Sequence, residues 1–339
     1  MDNKWPAFES KTGLAPARGV SLRRFSSLGI GGLAGGAITV DDDRTLRTVV
    51  RTAGEIGIPV KILGGGTNLV FTDDGFSGLL VRLGEQFKKI EISGDRVLSG
   101  ASVPLPALIT RTMESGLSGL EKLTGIPGTL GGAIYQNSGA RDYETARAVA
   151  SVTFFDAGRD EIVTLPADRL EFGYRSSGFH RRRAAILSAE LRLTPAPREE
   201  IMAEVTARMK YRNSTQPPGR SVGCIFKNPP DKSAGRLIDE AGLKGRSVGG
   251  LTISGLHGNF FLNDGRATFR DFEELVAIAR ETVKNKFGID LELEVEIVRE
   301  IQNAADDGPI QNGKSVAGRR DAENRPFRRW KISGEGNFI

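Results

Sequence analysis

The feature that most limits how this chain can fold is a run of three glycines directly after a short, largely apolar segment. Residues Ile58 to Leu63 predict a buried strand, and Gly64, Gly65 and Gly66 end it. Glycine has no Cβ and takes positive φ angles readily, so successive N–H groups in such a loop can point inward and cradle an anion. The pattern alone fits a phosphate-binding loop or a flexible turn.

The residues after the glycines keep both interpretations open. Thr67 and Asn68 add side chains that can donate hydrogen bonds. No G-x-x-x-x-G-K-[ST] motif is present, and no helix-forming run follows the glycines as a dinucleotide-binding βαβ turn requires. If the loop holds a nucleotide, it does so outside the two familiar phosphate fingerprints.

Composition excludes several classes of protein. The 339 residues have one cysteine and two histidines, so an intramolecular disulfide and a Cys/His zinc site are excluded, and we expect no metal site. No apolar run approaches the roughly 18 residues of a membrane span, and the N-terminus has no apolar signal region. A net charge of +5 suits an anionic small molecule, and no nucleic-acid-binding pattern accompanies it. We expect a cytoplasmic monomer without membrane or nucleic-acid partners.

Helical and alternating apolar periods mix along the chain without regular βαβ repeats, which predicts an α+β fold. Residues 1–20 show no clear period and are expected to be a loosely packed lead-in. Residues 301–339 are rich in polar residues and glycine and are expected to be a disordered tail. The predicted helices are 104–116, 198–212, 234–241, 268–286 and a helix capped by Asp43 that runs to Ile56. The predicted strands are 58–63, 78–83, 89–92, 97–99, 149–155, 162–165, 184–193, 250–253, 259–262 and 291–298.

A second glycine-rich stretch, Leu117 to Ala140, strengthens the nucleotide hypothesis. Its glycine content predicts neither a regular helix nor a regular strand, so it is a mobile loop or a backbone that closely approaches a ligand. Pro127 stiffens the stretch, and Asn137 and Ser138 offer side-chain hydrogen bonds. These residues favour close approach to a bound cofactor.

A third motif completes a set with the two glycine-rich loops. It reads Gly223-Cys224-Ile225-Phe226-Lys227-Asn228-Pro229. The three motifs, in this order, resemble the UDP-N-acetylenolpyruvoylglucosamine reductase family, also called the MurB family. The resemblance extends from about Phe25 to Val298.

The resemblance implies a fold and an activity. The fold would be a two-lobed FAD-binding module of the PCMH or vanillyl-alcohol-oxidase kind over residues 21–195, with subdomains of about 21–85 and 86–195. A smaller α+β substrate-binding domain would cover residues 196–300. The activity would be NADPH-dependent, FAD-mediated reduction of UDP-N-acetylglucosamine enolpyruvate to UDP-N-acetylmuramate, a step in peptidoglycan precursor synthesis.

The same resemblance assigns residues to the cofactor. FAD would be bound non-covalently, with NADPH as the hydride donor. In the family, the segments matching Gly125-Ile126-Pro127-Gly128 and Asn137-Ser138-Gly139-Ala140 lie along the adenosine and pyrophosphate. A segment like Phe25–Ala34 lies beside the flavin. The implied cofactor-binding residues are Leu63, Gly64, Gly65, Gly66, Thr67, Asn68, Gly125, Ile126, Pro127, Gly128, Gly132, Asn137, Gly139 and Ala140.

Three residues would carry the reaction. Cys224 alone would pass for a small buried hydrophobe, Arg175 for a surface arginine, and Glu294 for a solvated strand residue. The resemblance makes Cys224 the proton donor, in place of the serine more usual in the family, and a thiol that stays mostly protonated at pH 7 suits that role. It makes Arg175 and Glu294 stabilisers of the enolate formed from the substrate.

Tyr174, Lys227 and Asn228 are the implied substrate-binding residues. A cation and an amide beside a reacting centre suit a phosphorylated substrate, although residues 227–229 also fit an ordinary polar turn. The gap from Arg175 to Cys224 is short, which indicates the branch of the family without an extra substrate-closing loop.

The chain departs from the family in two places, and two other functions stay open. Glu296 stands where relatives often have arginine, and Gly255-Leu256 stands where they have a charged residue. Both departures concern substrate contacts more than the flavin site. The alternatives are another FAD-dependent oxidoreductase on the same module and a non-catalytic nucleotide-sugar-binding protein.

Overall fold

The computed structural model describes residues 4–140 and 143–299, and helices and strands alternate irregularly along them. The α-helices are α1 (Lys4–Thr12), α2 (Asp43–Ile56), α3 (Leu105–Glu114), α4 (Leu130–Gln136), α5 (Arg198–Thr215), α6 (Ala234–Glu240) and α7 (Phe269–Phe287). Short 3₁₀ turns cover Leu22–Arg24, Glu85–Lys88, Glu121–Leu123, Thr145–Arg147, Ala167–Arg169 and Gly178–Arg181.

The strands are short and are spread over the same residues. They are β1 (Ala17–Ser21), β2 (Leu33–Val40), β3 (Val60–Leu63), β4 (Leu69–Phe71), β5 (Phe76–Leu83), β6 (Ile90–Ser93), β7 (Arg96–Gly100), β8 (Leu117–Ser118), β9 (Gly139–Ala140), β10 (Tyr143–Glu144), β11 (Val149–Asp156), β12 (Glu161–Pro166), β13 (Ala184–Arg192), β14 (Thr194–Pro195), β15 (Ser247–Val248), β16 (Leu251–Ile253), β17 (Phe261–Asn263) and β18 (Glu296–Val298).

Three larger sheets organise these strands. The first has the order β1-β2-β5-β3, in which β5 runs parallel to both β2 and β3. The second has the order β12-β11-β13-β7-β6 and is antiparallel throughout. The third, β15-β16-β17, is a small antiparallel sheet. The mixture confirms the α+β prediction.

One strand pair brings the end of the described chain back to its beginning. β18 pairs in parallel with β4, with Glu296 opposite Leu69. β4 follows the first glycine loop directly. The chain segment that carries Glu294 is therefore fixed against the loop predicted to bind the cofactor.

Local capping explains where two of the predicted helices begin. The Asp42 side chain accepts a hydrogen bond from the N–H of Thr45 and caps α2, so the prediction of Asp43 as the cap is wrong by one residue. Thr268 and Asp271 form a reciprocal capping box at α7, as predicted. Both signals are local in sequence, so they could be identified without the tertiary structure.

Two main apolar cores lie in the described residues. The larger contains buried side chains from Trp5 to Leu193, and the smaller is built mostly from residues 222–295. Helix α5 contacts α3 and the turn Glu121–Leu123, and its Val205 packs against the larger core. The domain division at residue 195 stays a prediction. The contacts of α5, however, are with elements that precede residue 195.

The prediction of a loosely packed lead-in is wrong. Residues 4–12 form α1, and β1 joins the first sheet. Trp5 and Phe8 are buried in the larger core, with Phe8 completely inaccessible. Two aromatic side chains with few apolar neighbours in sequence gave no periodicity to detect.

Two other predictions need correction. The glycine-rich stretch contains a helix, α4, because Thr129 caps it and Leu130, Ala133 and Ile134 provide an apolar face. The last strand covers only three residues of the predicted 291–298, although Leu291 and Val295 are buried as the alternation indicated. The predicted tail at 301–339 lies outside the described residues.

Removal of the Phe8 ring should destabilise the protein, because α1 packs on the core. We expect Phe8→Ala to lower the free energy of unfolding by about 3–5 kcal/mol, as measured by urea denaturation. Ser10→Ala, at an exposed position of the same helix, should change it by less than about 0.5 kcal/mol. A Phe8→Ala loss below about 1 kcal/mol would contradict this packing.

Candidate active site

The two glycine-rich loops pack directly against each other. A Cβ built on Gly65 would lie 2.7 Å from the Cα of Gly128, and one on Gly128 would lie 2.9 Å from Oγ1 of Thr67. Gly66 has a φ of +65°, and a Cβ there would lie 1.9 Å from the carbonyl oxygen of Phe25. Glycine is therefore required because three backbone segments meet at this point. The segment beginning at Phe25 therefore lies beside the first glycine loop, and its place beside the flavin stays a prediction.

A cavity of about 410 Å³ lies beside these loops. Its volume falls in the usual range for a small-molecule site. Nine of the implied cofactor-binding residues line it: Leu63, Gly64, Gly65, Gly66, Thr67, Asn68, Pro127, Gly128 and Gly132. The two loops that the sequence separates by more than fifty residues thus form one wall.

Five implied cofactor residues do not line the cavity, and for three of them the contacts show another task. Asn137 is buried, and its amide bonds Glu144, the Gly173 carbonyl and the Ala146 N–H at 2.9–3.0 Å. The Gly139 carbonyl accepts a hydrogen bond from Arg175, and Gly125 packs against an arginine side chain. The five are Gly125, Ile126, Asn137, Gly139 and Ala140.

The implied catalytic residues come together at one place. Nε of Arg175 donates to Oε1 of Glu294 at 2.8 Å, and Nη2 donates to the Gly139 carbonyl at 2.9 Å. The side chains of Arg175 and Glu294 are only 17% and 15% exposed, so the pair is largely shielded from solvent. Arg175 has a φ of +52°, a left-handed conformation that is uncommon for a residue with a side chain and is typical of functional sites.

The backbone of Glu294 is held by three segments. Its N–H donates to the carbonyl of Ile225, the residue after Cys224, at 2.9 Å. Its carbonyl accepts from Nδ2 of Asn68 at 3.2 Å and from Nε2 of Gln136 at 3.3 Å. Asn68 of the first glycine loop therefore uses its side chain to position Glu294.

Burial controls the protonation of this cluster. Burial raises the pKa of the Cys224 thiol to about 12; Glu294 adds to the shift, while Arg175 and Arg212 oppose it. Burial also raises the pKa of Glu294, against the opposing effect of Arg175. A thiol with this pKa holds its proton throughout the physiological range, which suits a proton donor.

The implied substrate-binding residues lie next to the cluster and already interact with protein groups. Nζ of Lys227 pairs with Glu292 at 2.5 Å, and the Asn228 side chain accepts from the Ala234 N–H at the start of α6. The hydroxyl of Tyr174 accepts from the Asn228 N–H at 3.3 Å, and Tyr174 stays 47% exposed. Tyr174 and Lys227 retain donors for a ligand, whereas the Asn228 side chain has a structural bond.

Sequence reasoning missed several residues of the cavity wall. Lys61 and Glu296 form an ion pair there, and the Tyr135 ring packs on His180 at 4.3 Å between centroids. The departure at Glu296 is thus matched by a lysine on β3. Arg182 and Arg183 also line the cavity. The partners lie far apart in sequence, so no local signal identifies them.

Comparisons with known proteins identify relatives of both parts of the described chain. Residues 34–165 match the FAD binding domain, and residues 214–298 match the C-terminal domain of UDP-N-acetylenolpyruvoylglucosamine reductase. The chain is 38% identical over 280 residues to the reductase of Rubrobacter xylanophilus, covering 82% of this chain and 94% of that protein. It is 36% identical over 282 residues to the Bacillus licheniformis reductase, covering 82% and 92%.

A solved structure gives the same result for the fold. The crystal structure of the Thermus caldophilus reductase superimposes with a TM-score of 0.72 at 38% identity, covering 82% of this chain and 97% of that one. The fold and site define a two-lobed FAD-binding oxidoreductase. The chain belongs to the UDP-N-acetylenolpyruvoylglucosamine reductase family. Among residues 4–140 and 143–299, no helix is long and apolar enough to cross a membrane.

The cavity residues fit an FAD cofactor. Both glycine loops approach so closely that no Cβ fits at Gly65, and residues of both loops, with Thr67, line the cavity. Arg182 and Arg183 bring positive charge to the same cavity, where Lys61 is already paired with Glu296. These groups suit the pyrophosphate of a dinucleotide.

A methyl group at Gly65 should separate the two loops and release the cofactor. We expect Gly65→Ala to weaken FAD binding at least tenfold, measured by flavin absorbance after dialysis, because the added Cβ would overlap Gly128. Gly255→Ala is the control, since open space surrounds its Cβ and it does not line the cavity. Full flavin retention by Gly65→Ala would contradict the site.

The raised thiol pKa predicts slow alkylation of the single cysteine. The thiolate is the reacting form, so we expect iodoacetamide to label Cys224 at pH 8 on the order of a thousandfold more slowly than the urea-unfolded chain. The rate should still rise at pH 10, because the pKa is about 12. A rate that levels off above about pH 10 would show an ordinary thiol with a pKa near 8.5 and contradict the raised pKa.

Proposed function

We propose that this protein reduces UDP-N-acetylglucosamine enolpyruvate to UDP-N-acetylmuramate, for peptidoglycan synthesis, with FAD as bound cofactor and NADPH as reductant. The observation that carries the proposal is the convergence of Cys224, Arg175 and Glu294 beside the cavity lined by both glycine loops. The names of the most similar relatives support the choice of substrate.

The chain's own residues have distinct tasks around the cofactor. Bound FAD, reduced by NADPH, supplies the hydride that the methylene carbon of the substrate receives. The glycine loops hold the cofactor through backbone groups. Asn68 and Gln136 keep Glu294 next to the cavity through its carbonyl.

Arg175 and Glu294 stabilise the enolate that hydride addition creates. Arg175 is permanently charged and planar, and its contacts with Glu294 and the Gly139 carbonyl orient it. The Arg175 guanidinium is therefore already oriented to donate hydrogen bonds to the substrate carboxyl group as negative charge develops on it. Glu294, whose pKa burial raises, can share a proton with that group in its enol form.

Cys224 completes the reaction as proton donor. The thiol protonates the carbon next to the one that receives the hydride, and the resulting thiolate takes a proton from solvent. Burial favours the neutral thiol before the reaction, while Arg175 and Arg212 favour the thiolate after it. Burial therefore keeps the proton on the sulfur until the reaction, and the two arginines stabilise the thiolate that remains after the proton is donated.

Tyr174, Lys227 and Asn228 bind the phosphates and sugar of the substrate in this proposal. Lys227 would contact a phosphate as a point charge while Glu292 holds its stem in place. Tyr174, which is half exposed, offers a hydroxyl and a ring. We place the enzyme in the cytoplasm as a monomer, in accordance with its small anionic substrates.

Removal of the thiol should separate the two half-reactions. We expect Cys224→Ala to leave anaerobic reduction of the flavin by NADPH unchanged and to slow reoxidation by the enolpyruvyl substrate by about 10²–10⁴-fold, because only the second step needs the proton. Stopped-flow flavin absorbance measures both rates.

Cys224→Ser is the matched control and should retain substrate-dependent reoxidation, since a hydroxyl can donate the proton. If the wild-type flavin is reduced by NADPH but not reoxidised by this substrate, the protein is a different flavin oxidoreductase. If NADPH does not reduce it at all, a non-catalytic nucleotide-sugar-binding protein becomes the better description.

A further inference from the structure

A second arginine, Arg212, acts electrostatically on the Cys224 thiol, and its side chain has no hydrogen-bond or ion-pair partner among the residues that the structure describes. It belongs to the last turn of α5 and is half-buried. Within residues 4–140 and 143–299, its guanidinium forms no hydrogen bond and no ion pair. Arg208, one turn earlier, bonds Glu204 and donates to the Lys122 carbonyl. The contrast indicates that α5 uses Arg208 for packing and leaves Arg212 available.

The second glycine loop makes room for Arg212. Gly125 has a φ of +80°, and a Cβ built there would lie 2.3 Å from Cδ and 2.5 Å from Nε of Arg212. Gly125 does not line the cofactor cavity. The loop therefore requires glycine at this position because the arginine side chain passes over it, and its backbone restricts where the guanidinium can lie.

No carboxylate of residues 4–140 or 143–299 pairs with Arg212. Burial lowers its pKa, and the neighbour whose charge opposes this effect is the Cys224 thiol, which is neutral before it donates its proton. A half-buried cation without a carboxylate is unfavourable unless an anion completes the site. The ligand is the natural source of that anion.

The other two cations of the site are already paired with carboxylates. Arg175 pairs with Glu294, and Lys227 pairs with Glu292. Arg212 has no such partner among the described residues, so its five donors are available to a carboxylate in the bidentate geometry that arginine favours.

We propose that Arg212, held in place by Gly125, anchors the carboxylate of the enolpyruvyl group. The proposal rests on the function given above, because it needs a substrate whose carboxylate is attached to the carbon that Cys224 protonates. It gives the site two arginines with different tasks. Arg212 fixes the carboxylate in the bound substrate, and Arg175, with Glu294, meets the charge that develops during the reaction.

The test compares kinetic constants of two Arg212 variants. We expect Arg212→Met to raise KM for the enolpyruvyl substrate about 10- to 100-fold and to leave flavin reduction by NADPH within twofold of wild type, because one charge-assisted contact is lost. Arg212→Lys keeps the positive charge but loses the planar guanidinium that can bind a carboxylate through two hydrogen bonds, and it should raise KM by a smaller factor. An unchanged KM in Arg212→Met would overturn the proposal.

Lys210→Met is the matched control, because Lys210 is an exposed cation on the same helix. It removes the same charge two residues away and should leave KM within twofold. An equal rise in both variants would show a long-range charge effect and contradict an anchor at Arg212. Circular dichroism and flavin content check that each variant is folded.

Two inhibitors show whether Arg212 binds the carboxylate or the pyrophosphate of the ligand. UDP-N-acetylmuramate carries a carboxylate, and UDP-N-acetylglucosamine does not. Arg212→Met should weaken inhibition by the first at least tenfold and by the second less than twofold. Equal weakening of both would assign Arg212 to the pyrophosphate and overturn the carboxylate assignment.

Gly125→Ala tests the positioning of the arginine without altering its charge. We expect the KM for the substrate to rise about tenfold or more while the flavin content stays that of wild type. Loss of flavin with an unchanged KM would make Gly125 a cofactor contact and contradict its role here. A wild-type enzyme inactive with the enolpyruvyl substrate would instead contradict the proposed function.

Discussion

Two amide hydrogen bonds to the carbonyl oxygen of Glu294 connect the cofactor cavity to the reacting carboxylate. Asn68 donates one from the first glycine loop, and Gln136 donates the other from the last residue of α4. The carboxylate itself faces Arg175, whose second contact is the Gly139 carbonyl just beyond α4. A movement of either glycine-rich segment therefore displaces Glu294, so the cofactor cavity and the proposed catalytic carboxylate are mechanically coupled.

The glycines of the two loops serve different physical purposes. Gly65 and Gly128 allow one loop to touch the other, and Gly66 allows close approach to the carbonyl of Phe25. Gly125 instead leaves space for the side chain of Arg212. A glycine-rich sequence therefore identifies where backbones come close, but it does not say whether the neighbour is a ligand, a loop or a side chain.

Local sequence patterns were enough to predict much of the fold. The capping box of Thr268 and Asp271, the strand before the first glycine loop and the overall α+β character were predictable because they depend on neighbouring residues. Helix α1 was not, because it is stable only through the core that Trp5 and Phe8 enter.

The same distinction applies to the site. The motifs around Cys224 and the glycine loops identified its centre through their resemblance to a family. The Lys61–Glu296 pair and the packing of Tyr135 on His180 join residues from distant parts of the chain, so only the tertiary structure reveals them. Asn137 was placed at the cofactor by motif, whereas its buried amide ties α4 to Glu144 and Gly173.

The parallel pairing of β18 with β4 has a consequence for how the enzyme is made. Asn68 and Glu294 are 226 residues apart, and β4 has no partner strand other than β18 in the described chain. During translation the first glycine loop emerges long before the strand that fixes it. The flavin site is therefore completed only when synthesis has passed Val298, and a ribosome that stops earlier releases a chain whose cofactor-binding half lacks its final support.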